Sequence, residues 1–335
     1  MKKQNKKETN NLIKIVLIIT ITIILALLGI SKEEIEKIFA DPNALNQVEV
    51  SKDLIESQNN FENINLNNNE SNTGIIEESD FEKVKIETGN NVIKKIEDQK
   101  GSRIYFFDVG QADSTLIINN EKTMLIDAGN NDDGDMLVRY IQTLGISKLD
   151  YVVGTHPHED HIGGLDNIIK SFDIGTIYMP KVQTNTKTFE EVLDAISEKN
   201  LKVTTPKIGD KFKLGQADCE IMSIGDDKSN LNTTSIVIRM CYKDVSYLFT
   251  GDMETINESS RDWPQTDILK VAHHGSRTSS SEKFLKQIKP KIGIIQVGID
   301  NSYGHPHDVV IRRLEKLGAK VYRNDLKQTI LIKQE

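Results

Sequence analysis

Gly154-Thr155-His156-Pro157-His158-Glu159-Asp160-His161-Ile162-Gly163-Gly164 follows directly on the apolar run 149–153. Three imidazoles and the carboxylate of Asp160 fall within six consecutive residues of it. A strand ending in a tight loop delivers all four to one place. His156 and His158 alternate and project to the same side, while Asp160 and His161 follow where the chain must turn. Neutral imidazole and carboxylate suit Zn²⁺, Mn²⁺ and Fe, and a site with open coordination positions can activate water. Seven histidines occur in 335 residues and three of them fall here, so a loop with chance histidines is a poor account. The stretch reads as a metal site, and a binuclear one.

Working outward, the chain carries Phe106-Phe107-Asp108-Val109-Gly110-Gln111-Ala112-Asp113, Leu125-Ile126-Asp127-Ala128-Gly129, Thr250-Gly251-Asp252, His273-His274-Gly275-Ser276 and Tyr303-Gly304-His305-Pro306. With HxHxDH and its glycine pair, the ordered set resembles the metallo-β-lactamase-fold hydrolases. More narrowly it is similar to the hydrolase domain of ComEC-type DNA-uptake proteins and its free-standing relatives, over about residues 102–335.

The resemblance implies two divalent ions, Zn²⁺ or Mn²⁺. His156 and His158 would hold the first, Asp160 and His161 the second, with the carboxylate of Asp252 bridging both. One of His273 and His274 would complete the second ion and the other would stand beside the substrate. The sequence does not separate them, and His274 is taken as the ligand with His273 as the donor to substrate. Asp127 ends a strand beneath the ions and reads as an orienter of a ligand imidazole. Asp108 opens a turn bordering the site, where Asp113 and Ser114 could simply cap the turn. Many family members supply one more histidine to the first ion. None occurs here between His161 and His273, and Asn232-Thr233-Thr234-Ser235 stands in its place, which implies a weaker shell for that ion.

Two cations a few ångströms apart suit hydrolysis of a phosphodiester. Asn232, Thr234, Ser235 and Ser276 are candidate neutral donors to its oxygens. Asp160, His273 and His305 are candidate participants in catalysis, His305 at the leaving group, and Lys270 and Arg277 could add positive charge. The expected activity is that of a metal-dependent phosphodiesterase or nuclease, acting on DNA or another extracellular phosphodiester such as teichoic acid. Hydrolysis of an ester, lactone or β-lactam on the same scaffold is one alternative. A non-catalytic, metal-stabilised binding module is the other.

Twelve short β-rich runs lie at 103–109, 114–118, 123–126, 149–154, 174–179, 218–224, 234–242, 245–250, 268–272, 292–297, 320–323 and 329–332. Helical stripes separate them, at Leu165/Ile168/Ile169/Phe172, Phe189/Val192/Leu193/Ile196, Phe284/Leu285/Ile288 and Val310/Leu314/Leu317. This pattern predicts an α/β fold of two sheets packed face to face and covered by helices. The resemblance implies the same four-layer αβ/βα sandwich, with the metals at one edge of the sheets.

The rest of the chain differs in texture. Residues 1–30 hold five lysines against one acid, and 15–30 are apolar apart from Thr20, Thr22 and Gly29. That length matches a bilayer core and predicts a single-pass anchor with the catalytic domain outside. A signal peptide, leaving a secreted enzyme, is the competing reading, though no clear A-x-A site follows. Residues 31–99, with sixteen acids against seven lysines and eight asparagines in 59–72, read as a disordered stalk. In it, Val84, Ile86, Val92, Ile93 and Ile96 could form a weak strand or helix leading into a hydrolase domain at 100–335. The whole chain carries −8, concentrated in the stalk, so the catalytic part is close to neutral and shows no basic face of a phosphate-neutralising kind. Cys219 and Cys241, both within β-rich runs, read as small buried apolar side chains or as a disulfide. No protein partner is predicted.

Overall fold

The computed structural model describes residues 76–77, 81, 83–225 and 229–335. The anchor expected at 1–30 and most of the stalk lie outside these, and among the described residues no helix is long and apolar enough to cross a membrane. In chain order come strands β1 (Ile76–Glu77), β2 (Lys85–Thr88), β3 (Ser102–Phe106), β4 (Thr115–Asn119), β5 (Lys122–Ile126), β6 (Lys148–Val153), β7 (Asp173–Tyr178) and β8 (Val203–Thr204). Next are β9 (Lys211–Leu214), β10 (Ala217–Ser223), β11 (Val237–Tyr242), β12 (Val245–Phe249), β13 (Ile268–Lys270), β14 (Ile292–Ile295) and β15 (Lys320–Arg323). Finally β16 (Ile330–Gln334) returns to the first group.

One sheet runs β1-β2-β16-β3-β4-β5-β6-β7-β8 and the other β15-β14-β13-β12-β11-β10-β9. Each is antiparallel in one half and parallel in the other: β5 to β8 and β12 to β15 are the parallel runs. Parallel neighbours need crossovers, which supply the helices α1 (Gly134–Thr143), α2 (Glu159–Ile162), α3 (Leu165–Ser171), α4 (Lys187–Glu198), α5 (Thr255–Glu258), α6 (Glu282–Ile288) and α7 (Asp308–Lys316), while α8 (Asn324–Lys327) joins β15 to β16 of the other sheet.

Side-chain alternation builds the layers. Ile104, Phe106, Ile117, Met124 and Ile126 of the first sheet meet Ile238, Met240, Tyr247, Phe249 and Ile294 of the second in a core between the sheets. Their neighbours Tyr105, Leu116, Ile118 and Leu125 turn outward under Leu137 and Ile141 of α1, Ile168 of α3 and Val192 of α4. On the far side Leu248, Leu269 and Ile295 pack against Phe284 of α6 and Leu314 of α7. The result is the expected helix–sheet–sheet–helix sandwich. Strands buried on both faces read as continuous apolar runs, which is why they were legible.

Two expectations change. β2 pairs with β16 in register Ile86↔Ile332, so residues 85–88 belong to the folded domain and its start lies ahead of residue 100. One strand in from the edge, β2 buries only alternate residues, and its lysine and glutamate gave it the texture of stalk. Cys219 stands opposite Met240, with Cys241 one residue on. Alternation turns the two cysteines to opposite faces of the sheet, and both are free thiols.

Candidate metal centre

β6 ends at Val153 and the HxHxDH segment crosses a loop into α2, a single turn with His158 at its N-cap. Backbone bonds tie this loop to the ends of β4 and β5: Asp127 N–H donates to Val153 O at 2.8 Å and Ala128 N–H to His161 O at 2.7 Å. Asp113 N–H donates to Asp160 O at 3.0 Å. The glycine pair is required by the closeness of this crossing, since a Cβ on Gly163 would lie 2.2 Å from the carbonyl carbon of Asn130. From the second sheet β12 leads into Asp252, and β13 into a turn at Ala272–Gly275. In that turn His273 (φ 52°) and His274 (φ 51°) both adopt the left-handed conformation, at about 1–2 kcal/mol each. The pair of strained residues sends its two rings to different sides of Asp252.

The Asp252 carboxylate divides its oxygens. Oδ1 lies 3.2 Å from His161 Nε2 and 3.8 Å from His274 Nε2, and His274 Nε2 lies 3.3 Å from Asp160 Oδ2. Oδ2 lies 3.9 Å from His156 Nε2 and 3.6 Å from His273 Nε2, and His156 Nε2 touches His158 Nδ1 at 3.0 Å. Among the described residues, His161 Nε2, His274 Nε2 and Asp252 Oδ1 are buried with no hydrogen-bond partner. Orphaned atoms of this kind are rare and call for an explanation. A cation with bonds of about 2.0–2.2 Å, whose ligands stand roughly 3–4 Å apart, supplies it. Three overlapping groups could hold a metal ion among the described residues: His156/His161/Asp252, Asp160/His161/His274 and, on the Nδ1 side of His161, Asp113/Asp127/His161.

Behind the ligands lies a further layer. Asp127 accepts Thr155 N–H, Thr155 Oγ1–H and His161 Nδ1–H, each at 2.8 Å, which leaves His161 Nε2 for the metal. His274 Nδ1 donates to Gln296 O at 3.0 Å and stands 3.3 Å from Asp113 Oδ1. Asp113 in turn is ion-paired with Lys270, both buried. Without metal the centre balances its charge with protons. Burial alone would raise the carboxyls of Asp252 and Asp160, yet the His161 and His274 imidazoliums hold both below the ordinary carboxylate range. Burial opposes charge on His161 and His274 too, but Asp252 and Asp127 raise His161 well above its ordinary value, and Asp252 and Asp113 raise His274 to about 10. Burial and the neighbouring His161 push His156 well below the usual imidazole range.

A cavity of about 520 Å³ opens over the centre, lined by Gln111, Asn130, His158, Glu159, Asp160, Asn232, Asp252, His273, His274, Tyr303 and His305. Of the candidate substrate-facing residues, His273, His305 and Asn232 line this cavity, and burial with the His274 and His273 rings pushes His305 down to about 4. The other three candidate donors do not line it. Thr234 is buried and its hydroxyl donates to Leu231 O at 2.7 Å, satisfying its own 3-10 turn. Ser235 Oγ accepts Asp252 N–H at 3.1 Å and so holds Asp252 in place. Ser276 Oγ pairs with Thr278 Oγ1 at 3.2 Å. Asp108 also departs from expectation. It accepts Gly110 N–H at 3.4 Å and its own N–H donates to Thr329 Oγ1 at 3.2 Å, a turn-capping role, while Asp113 is the acid that reaches the histidines. Lys270 lies beneath the centre, and Arg277 does not line the cavity. Sequence reasoning missed Glu254, which accepts Asn230 Nδ2–H at 2.8 Å and stands 3.7 Å from His273 Nδ1. No sequence signal marked it.

The chain is 32% identical over 200 residues to ComE operon protein 3 of Bacillus subtilis, covering 58% of this chain and 26% of that protein. It is 30% identical to Recombination protein 2 of Haemophilus influenzae, over 64% of this chain and 26% of that one. To Competence protein ComA of Neisseria gonorrhoeae it is 28% identical, over 66% and 30%. The chain therefore matches about a quarter to a third of the length of these relatives. Residues 107–298, more than half of the chain, match the metallo-beta-lactamase superfamily, and the chain belongs to that superfamily, as a relative of the ComEC type.

Proposed function

We propose that this chain is a metal-dependent phosphodiesterase. The observation that carries the reading is the divided carboxylate of Asp252, with Oδ1 towards His161 and His274 and Oδ2 towards His156 and His273. His156 and His158, and Asp160, His161 and His274, are the residues that would hold divalent cations together with Asp252, and such ions would supply acidified water and charge neutralisation for an in-line displacement. The chain's own residues do the rest. Asp127 and Gln296 fix the ring orientations of His161 and His274. Asn232 and His273, whose Nδ2 and Nε2 atoms stand 3.4 Å apart, face the cavity where the phosphoryl group would bind, and His305 on the opposite loop serves the leaving group.

Relatives named for competence and recombination support DNA as the substrate. The lysine-flanked apolar N-terminus and acidic stalk of the sequence support a tethered enzyme acting outside the cytoplasm, on DNA or on a wall polymer such as teichoic acid. The test strips the full chain of metal, reloads it separately with Mn²⁺ and Zn²⁺, and assays bis(p-nitrophenyl) phosphate and single-stranded DNA. Metal-dependent turnover that disappears in Asp252→Ala is the expected result. Loaded protein that turns over neither substrate would overturn the reading.

A further inference from the structure

We propose that Gln111 fixes the tautomer of His305, so that the neutral ring carries its proton on Nε2. The two residues come from motifs far apart in the chain, Asp-Val-Gly-Gln-Ala-Asp and Tyr-Gly-His-Pro. Gly298 N–H lies 3.2 Å from the Gln111 side-chain amide. A backbone N–H can only donate, so the amide atom facing it is the carbonyl Oε1. The other amide atom, Nε2, can only donate in its turn, and it stands 3.4 Å from His305 Nδ1. A ring nitrogen that accepts this bond carries no proton, and the single proton of a neutral imidazole is then on Nε2.

The surrounding structure leaves the ring little freedom to evade this bond. Asn301 clamps the backbone of His305 at both ends: Oδ1 accepts its N–H at 2.9 Å, and Nδ2 donates to its carbonyl at 2.6 Å. The same Nδ2 donates to Gly298 O at 3.0 Å, which ties the loop to the strand end that orients Gln111. Close approach holds the two loops together, since a Cβ on Gly298 would lie 2.6 Å from Gln111 N. His305 Nε2 makes no hydrogen bond among the described residues, and its ring stands 5.6 Å from that of His273 at the cavity. The consequence for catalysis rests on the phosphodiesterase reading: His305 is a neutral donor to the leaving or phosphoryl oxygen, and Gln111 is the residue that positions it.

The test is spectroscopic. The full chain, Zn²⁺-loaded and labelled with ¹⁵N in histidine only, has seven rings to resolve, and His305→Gln identifies the signal of interest. Long-range ¹H–¹⁵N correlations distinguish an Nε2–H ring from an Nδ1–H ring. In the unsubstituted protein His305 should show the Nε2–H pattern alone. Gln111→Glu places a carboxylate, which only accepts, beside Nδ1, and should convert the ring to the Nδ1–H form. An Nδ1–H pattern or a mixture in the unsubstituted protein would overturn the assignment, as would a pattern that Gln111→Glu leaves unchanged. Should Gln111→Glu not fold, the first spectrum decides alone. No substrate enters the measurement, so its outcome is separate from that of the hydrolysis assay.

Discussion

Asp127→Asn removes one charge from the centre while keeping the shape of the side chain, and the structure sets the size of the effect. Asp127 is 1% exposed and accepts three hydrogen bonds, two from Thr155 and one from His161 Nδ1. An asparagine has one acceptor oxygen, so its amide group must face a donor. Thr155 Oγ1 can rotate to accept, but Thr155 N–H and His161 Nδ1–H cannot both be satisfied. A buried unsatisfied donor costs about 1–3 kcal/mol. The alternative, a flipped His161 tautomer, puts a proton on the nitrogen meant for metal. Either way the expected loss in metal affinity is about 10–100-fold, the range for removing a carboxylate that orients a ligand imidazole. The backbone does not confuse the result. Asp127 has φ 58°, which asparagine adopts readily, whereas Asp127→Ala adds about 1–2 kcal/mol of strain. Affinity and melting temperature should therefore fall in the order Asp, Asn, Ala, with Asn melting about 2–10 °C below the parent. Competition against a chromogenic chelator measures the first, and thermal unfolding of metal-free protein the second. An asparagine variant that binds Zn²⁺ as tightly as the parent and melts with it would refute the role given to Asp127.

Two further outcomes follow from the same layer. Lys270→Met breaks the buried pair with Asp113 and leaves its carboxylate only the His274 and His161 rings for charge balance, a loss of about 3–5 kcal/mol. Lys270→Met/Asp113→Asn should recover most of that in urea unfolding, and a double variant no more stable than the single one would argue against the pair. The protons on His161 and His274 set a pH dependence. The folded value for His274, about 10, lies above the ordinary 6.5, so its contribution to metal-free stability is full below pH 6.5 and is lost as pH rises towards 10. Metal must displace those protons, so affinity climbs over the same window, and calorimetry in buffers of different ionisation enthalpy should register proton release on Zn²⁺ binding near pH 7.5. Binding with no proton released would contradict the protonated pair.

How much of this was legible in the sequence depended on how local the physics is. Apolar runs such as 115–119 and 245–249 could be read as strands because both of their faces are buried. β9 was missed because an edge strand buries little and carries lysines, and β2, one strand in from the edge, was legible only as a weak strand or helix because its residues are buried alternately. α1 was missed too, although Leu137 and Ile141 stand at helical spacing. The ligand types were equally visible, since three histidines and an aspartate in six residues have little other use.

Roles that depend on what lies across the fold were not visible. Thr234, Ser235 and Ser276 are chemically fit to meet a phosphate, but each hydroxyl is already taken by a neighbour. Asp108 and Asp113 sit five residues apart in one motif, and only the packing of β4 against β13 sends Asp113 to Lys270 and His274. His273 and His274 are adjacent in sequence and separate only through consecutive left-handed residues. The sequence alone determined the layer order and the kinds of atom available at the centre, because periodicity and ligand chemistry are properties of short stretches. The tertiary structure decided which oxygen meets which nitrogen, because a hydrogen bond or a metal bond is settled within a few tenths of an ångström by segments far apart in the chain.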